Sequence, residues 1–157
     1  MTVPPARAAA EEPTADAEVG WIVARTGSVG YRTDLQINGY SLIADEPTNV
    51  GGTGLGPTPY EFLLAALGSC TAMTLRMYAS RKGWPLESVI VRLRDTPPHM
   101  KDCVDCATSA VGVRNIDRIV ELNGDLSPEQ RTRLLQIADR CPVTQTLTRG
   151  IQIRNVE

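Results

Sequence analysis

The stretch from Thr58 to Lys82 constrains the fold more than any other part of the chain. Thr58-Pro59-Tyr60-Glu61 puts threonine at an N-cap, proline at the first helical position and glutamate at the third, the pattern of a capping box. Gly83 and Pro85 then stop the helix, which is predicted to run to about Lys82. Phe62, Leu63, Leu64, Ala65, Ala66, Leu67, Ala72, Met73, Leu75 and Met77 make it apolar nearly all round, with Arg76, Arg81 and Lys82 only towards its end. Such a helix is expected to be long, central and buried.

The flanking segments read as strands. Val19 to Arg25, Gly30 to Ile37 and Tyr40 to Ala44 carry β-branched and aromatic residues, and Asn38-Gly39 between the last two signals a hairpin. From Asp45 to Pro57 the chain is too rich in glycine and proline for regular structure. Strands are expected again over Ser88 to Arg94 and Asn115 to Leu122, the first by clean alternation. Ser127-Pro128-Glu129-Gln130 repeats the capping pattern and opens a helix towards Arg140. A short helix after Pro142 and a final strand from Ile151 to Val156 complete the order. Strands, helix, strands, helix, strand is an α+β class, read as a β-sheet packed on the long helix. Residues 1–17 are rich in Pro, Ala and Glu and read as a disordered tail, leaving 18–157 as one domain.

Charge and composition narrow the function. The formal net charge is −2 and the sequence pI about 5.5, without the basic footprint of a nucleic-acid binder. No apolar run approaches the roughly 20 residues of a membrane span, and there is no leader pattern at the N-terminus, so a soluble cytoplasmic protein is expected. In that compartment the four cysteines are expected to be catalytic, metal-binding or incidental rather than a disulfide framework. P-loop, nucleophile-elbow and dinucleotide patterns are absent, and the single histidine, His99, sits beside Pro97-Pro98 with no convincing cysteine partner.

Two thiols stand out. Cys70 falls well inside the apolar helix, where burial raises a thiol pKa, so a cationic partner is needed for a thiolate at neutral pH. Arg25 and Arg32, on or beside the early strands, are the candidates, and Glu61 could orient whichever guanidinium arrives. The plainer alternative is a small core residue at Cys70 and a cap at Glu61. Cys141 precedes Pro142 and fits the N-cap of the short helix, whose unpaired N–H groups stabilise a thiolate; packing at a helix junction is the alternative. Cys103 and Cys106 form a C-x2-C pair, but a structural zinc wants four ligands, so no metal site is assigned and an oxidisable or spectator pair is preferred. Two thiols distant in sequence and joined by folding can attack an oxidant and then close a disulfide, which points to a thiol peroxidase.

From Gly56 to Met73 and again at Ala138-Asp139-Arg140-Cys141-Pro142-Val143, the chain resembles the OsmC/Ohr family of osmotically induced and organic hydroperoxide resistance proteins. The likeness extends from about Tyr31 to the C-terminus and includes Asp45-Glu46-Pro47 and Arg81-Lys82-Gly83-Trp84-Pro85-Leu86. It implies an OsmC-like fold, an intertwined homodimer, and cofactor-free, peroxiredoxin-like reduction of organic hydroperoxides. Carried over by residue, Cys70 matches the peroxidatic cysteine and Cys141 the resolving one, with a dithiol, such as a lipoyl group, as reductant. An arginine, Arg25 or Arg32, would hold the thiolate, and Glu61, or Tyr60 under a shifted alignment, would hold that arginine. Where the related branch reads Cys-Pro-Val-His-Arg-Thr-Leu, this chain has Thr144 and Gln145. A non-enzymatic redox or metal-responsive binding protein using the same thiols is the competing reading.

Overall fold

A computed structural model describes residues 20–96 and 115–156. The expected tail at 1–17 lies outside them, as do His99, Cys103 and Cys106. The chain forms two compact units, one up to Phe62 and one from Leu63.

The first unit is built on a three-stranded antiparallel sheet, β1 (Ile22–Thr26), β2 (Thr33–Ile37) and β3 (Tyr40–Ala44), in the order β1-β2-β3. Asn38, at φ 48°, and Gly39, at φ 86°, make the β2–β3 turn with both residues in the left-handed region, the backbone that suits the twist of a tight hairpin. Beyond β3 the chain is held by one carboxylate. Asp45 is buried and accepts from the backbone N–H of Glu46, Thr53 and Leu55 at 2.8, 3.1 and 3.2 Å, and from the Thr53 hydroxyl at 2.5 Å. Its own N–H donates to Pro57 O, so a glycine-rich segment folds back on a single side chain. The close packing leaves no room at Gly52, where a Cβ would lie 1.8 Å from Glu46 O. A short 3-10 turn, Thr48–Val50, interrupts what the composition suggested was wholly irregular.

The long helix α1 spans Pro59–Lys82. Its start is the expected capping box: Glu61 N–H donates to Thr58 Oγ1, and Glu61 Oε2 accepts from Thr58 N–H at 2.7 Å. Its end is a Schellman motif, with Gly83 N–H on Ser80 O and Trp84 N–H on Ala79 O, and Gly83 at φ 64°.

In the second unit, β4 (Ser88–Thr96) pairs antiparallel with β5 (Asn115–Asn123), followed by α2 (Pro128–Ala138) and α3 (Pro142–Arg149). Ser127 and Gln130 close a second capping box at α2. The core joins Leu75 and Ala79 of α1 to Leu86, Leu126, and Leu134, Ile137 and Ala138 of α2, with Val89, Val120 and Leu122 of the hairpin packed against it. Each fully buried leucine contributes about 1.5–3 kcal/mol by leaving water. Arginines staple the elements through backbone carbonyls: Arg76 to those of Leu86 and Glu87, Arg131 to those of Leu122 and Gly124.

Four expectations are corrected. Helix α1 is not buried all round: Leu67, Thr71, Leu75 and Ala79 form a single buried stripe at i, i+4 spacing, while Met73 and Met77 are 65% and 54% exposed. The residues to cover its other apolar faces are not supplied by the described part of its own unit. The strand expected at Ile151–Val156 is irregular, exposed chain, because alternation alone makes no strand without a ladder to join. Instead of one sheet, the described residues form two, of three and two strands. Helix α1 is also, by length and composition, apolar enough to cross a membrane, with mean hydropathy 1.3 over its best window, which the sequence reading had not allowed.

The Asp45 carboxyl is held at about 2, chiefly by the Thr53 hydroxyl and against burial, which opposes ionisation, with the three backbone N–H groups adding to the hydroxyl. A folded-state pKa below the unfolded one contributes stability that is complete above about pH 4 and fades as pH falls through 2. We expect Asp45→Asn to lower Tm by several degrees at pH 7, with the gap to wild type closing as pH falls from 4 towards 2, measured by thermal melts.

Candidate functional site

The second unit brings Cys70 and Cys141 together. Cys70 lies on α1 one residue before the buried Thr71, and is itself half-buried. Cys141 is fully buried at the N-cap of α3. The turn that carries it is closed by Arg140 N–H on Ile137 O at 2.9 Å and Cys141 N–H on Ala138 O at 3.3 Å. Cys141 O then accepts the first helical bond of α3 from Gln145 N–H. The two side chains lie close enough to shift each other's ionisation, and both thiols are free.

Their surroundings differ. Around Cys70, burial pushes the thiol up, and the hydrogen bond and charge of Cys141 push it the same way. The Val143 N–H and the Thr74 hydroxyl oppose them without prevailing. At Cys141 burial again raises the thiol. Its bond with Cys70, the Thr144 N–H and the hydroxyls of Thr71 and Thr144 outweigh that and bring it to about 7. No capping bond of regular length closes from Cys141 Sγ, so the Thr144 N–H acts on the sulfur as a dipole at longer range. The Thr71 hydroxyl donates its one proton to Leu67 O at 2.8 Å, which leaves Thr144 as the hydroxyl with a proton to offer Cys141. In the reduced pair the first negative charge therefore rests mainly on Cys141.

Beside Thr144 opens a cleft of about 320 Å3 lined by Leu67, Ile116, Arg118, Thr144, Leu147 and Thr148. Three of these are aliphatic and one is a cation. Arg118 sits on the inward face of β5 with Ile116, Val120 and Leu122, opposite Leu93, and Leu93 in turn lies against Gly68 of α1.

The other predicted site residues belong to the first unit. Arg32 donates to Asp34 at 3.0 Å, and Arg25 faces the same Asp34 across the β1–β2 ladder. Glu61 is spent on the Thr58 cap, the plainer of its two readings. Among the described residues no group of three or more His, Cys, Asp or Glu side chains could hold a metal ion. Sequence reasoning missed Thr71, Thr74 and Arg118. Only Arg118 left a signal: in Ile116-Asp117-Arg118-Ile119-Val120-Glu121-Leu122 it occupies an inward position of an alternating strand.

Residues 52–155, about two-thirds of the chain, match the family model described as OsmC-like protein. No curated protein matches the sequence. The fold is that of solved structures of low identity. An OsmC-like protein from Mycoplasma pneumoniae is 19% identical with a TM-score of 0.66, covering 81% of this chain and 85% of its own. An organic hydroperoxide resistance protein from Legionella pneumophila is 15% identical at TM-score 0.55, covering 83% and 90%. Another from Bacillus subtilis is 20% identical at TM-score 0.52, with the same coverage.

A variant carrying Cys103→Ser and Cys106→Ser isolates the pair. Its thiolate absorbance in the ultraviolet is expected to rise with a first midpoint at about 7. Cys141→Ser in that background should move the midpoint upward, past that of a free thiol, since Cys70 alone is left with the penalty of burial.

Proposed function

Because the chain belongs to the OsmC-like protein family, we propose that it is a cofactor-free thiol peroxidase that reduces organic hydroperoxides. The observation that carries this reading is the proximity of Cys70 and Cys141, two free thiols 71 positions apart in sequence whose ionisations are linked. Two sulfurs so placed hold the two electrons that the reaction needs, and their chemistry requires no bound group.

In this reading Cys70, the more accessible of the two, meets the peroxide. Its proton passes to the neighbouring Cys141, and the Cys70 thiolate attacks the distal oxygen of ROOH. The O–O bond breaks, RO⁻ leaves and is protonated to ROH, and Cys70 becomes a sulfenic acid. Cys141 then attacks that sulfur, a disulfide forms and water departs. A dithiol reductant returns both thiols and is itself oxidised to its disulfide, so the sum is ROOH plus dithiol giving ROH, water and disulfide. The aliphatic wall of the cleft, Leu67, Ile116 and Leu147, suits a hydrocarbon tail and favours organic peroxides over hydrogen peroxide. The working form is a homodimer, supported by the open apolar face of α1 that carries Met73 and Met77.

Steady-state reduction of cumene hydroperoxide and hydrogen peroxide with a dithiol tests the reading. Turnover should be faster with the organic peroxide and fall at least about a hundredfold in Cys70→Ser, while Cys141→Ser should stop after one turnover. Arg25→Ala and Arg32→Ala, assayed alongside, should identify the cation at Cys70 by a loss in kcat/KM in one of them. Sedimentation should give twice 17.0 kDa. A wild-type protein inert to both peroxides would sink the peroxidase and favour a non-enzymatic thiol switch.

A further inference from the structure

Arg118 reaches three oxygens around Cys141 from a different element. Its Nη2 donates to Asp139 Oδ1 at 2.5 Å, and its Nη1 to Ala138 O at 3.3 Å and to Thr144 Oγ1 at 3.5 Å. The partners flank the turn that presents the thiol, Ala138 and Asp139 at the end of α2 and Thr144 in the first turn of α3. Ala138 O also receives the N–H of Cys141 itself, and Asp139 ends α2 and offers its carbonyl to the Gln145 side chain at 2.6 Å. The Thr144 hydroxyl is one of the groups that favour the Cys141 thiolate. The Arg118 side chain is largely covered, 21% exposed, while its Asp139 partner lies at the surface, so the guanidinium is held between the fold and solvent with its fork directed at the turn.

The chemistry of the groups sets the direction. Arginine has donors only, so Thr144 Oγ1 must accept from it, and the hydroxyl proton is left to point elsewhere. We propose that Arg118 is the positioning residue of Cys141: it pins the turn between α2 and α3 from strand β5, and it orients the Thr144 hydroxyl so that its proton is given to the Cys141 sulfur. This deepens the thiol-pair reading above and rests on it, but it concerns the resting pair rather than turnover. The titratable and charged groups assembled here are Cys70 from α1, Arg118 from β5 and Asp139 from the turn, the last neutralised by its pairing with Arg118. With Arg118 removed, Asp139 loses its counter-ion beside the turn, and the Thr144 hydroxyl loses the donor that fixed it. Both changes disfavour a thiolate.

Alkylation by iodoacetamide as a function of pH, in the Cys103→Ser and Cys106→Ser background, reads the pair without any peroxide. Arg118→Ala is expected to raise the first midpoint by about one unit and to slow alkylation at pH 6 severalfold. Thr144→Val should move it the same way, and the double variant should move it no further than the larger single change, because the two act in series. Arg118→Lys keeps the charge without the fork and should recover part of the shift. Arg94→Ala, which removes an exposed ion pair with Asp117 on the same hairpin, should leave the midpoint alone. Folded Arg118→Ala and Thr144→Val proteins titrating as wild type would overturn the proposal. If Arg118→Ala fails to fold, wild-type midpoints in both Arg118→Lys and Thr144→Val would overturn it equally. A wild type without peroxidase turnover ends the peroxidase reading but leaves this titration intact, so the two can fail separately.

Discussion

The stripe of Leu67, Thr71, Leu75 and Ala79 along α1 is the line on which the second unit is assembled. Its upper half, Leu75 and Ala79, locks into the leucine-rich core made with α2 and the hairpin. Its lower half, Leu67 and Thr71, runs past Cys141 and into the cleft. One helix face thus anchors the fold and delivers a thiol. Cys70 rides beside that face, partly covered, because its neighbour Thr71 is fully committed to it. A substitution that loosened the leucine core would therefore be felt at the sulfurs through a single rigid element.

Polar groups do comparable work in both units by gathering backbone atoms. Asp45 takes three N–H groups from one loop, and Arg76 and Arg131 each hold two carbonyls. Arg118 is of this kind, with the difference that one of its partners is a side chain facing a reactive atom. At Thr144 the group beside the thiol is a neutral hydroxyl, and the nearby positive charge is that of Arg118 on β5.

Helix ends were the most legible part of the sequence, because caps are local chemistry. Thr58 with Glu61, Ser127 with Gln130, and Gly83 all act within a few residues of themselves. Strands with hairpin partners were legible for the same reason. Ile151–Val156 was not: it alternates correctly, yet a strand exists only if something offers it a ladder. The apolar circumference of α1 told how much surface asks for cover, not which neighbour covers it. At the site, Cys70 and Cys141 were legible as residues and their proximity was not, since it depends on α1 and the α2–α3 turn meeting. Arg118 could be placed on an inward face by counting alternate positions, but the oxygens it meets come from a turn 20 residues further on.

Pro142 opens α3 without an N–H, so the first two amides the helix can offer are those of Val143 and Thr144. One acts on Cys70 and the other on Cys141. A helix terminus carries only about half an elementary charge, enough to favour one anion and too little to support two side by side. The pair is thus a diprotic acid whose second ionisation is opposed by its first. Between those two steps the site keeps a single proton, held mainly on Cys70, and moving that proton to Cys141 is what exposes Cys70 as the base.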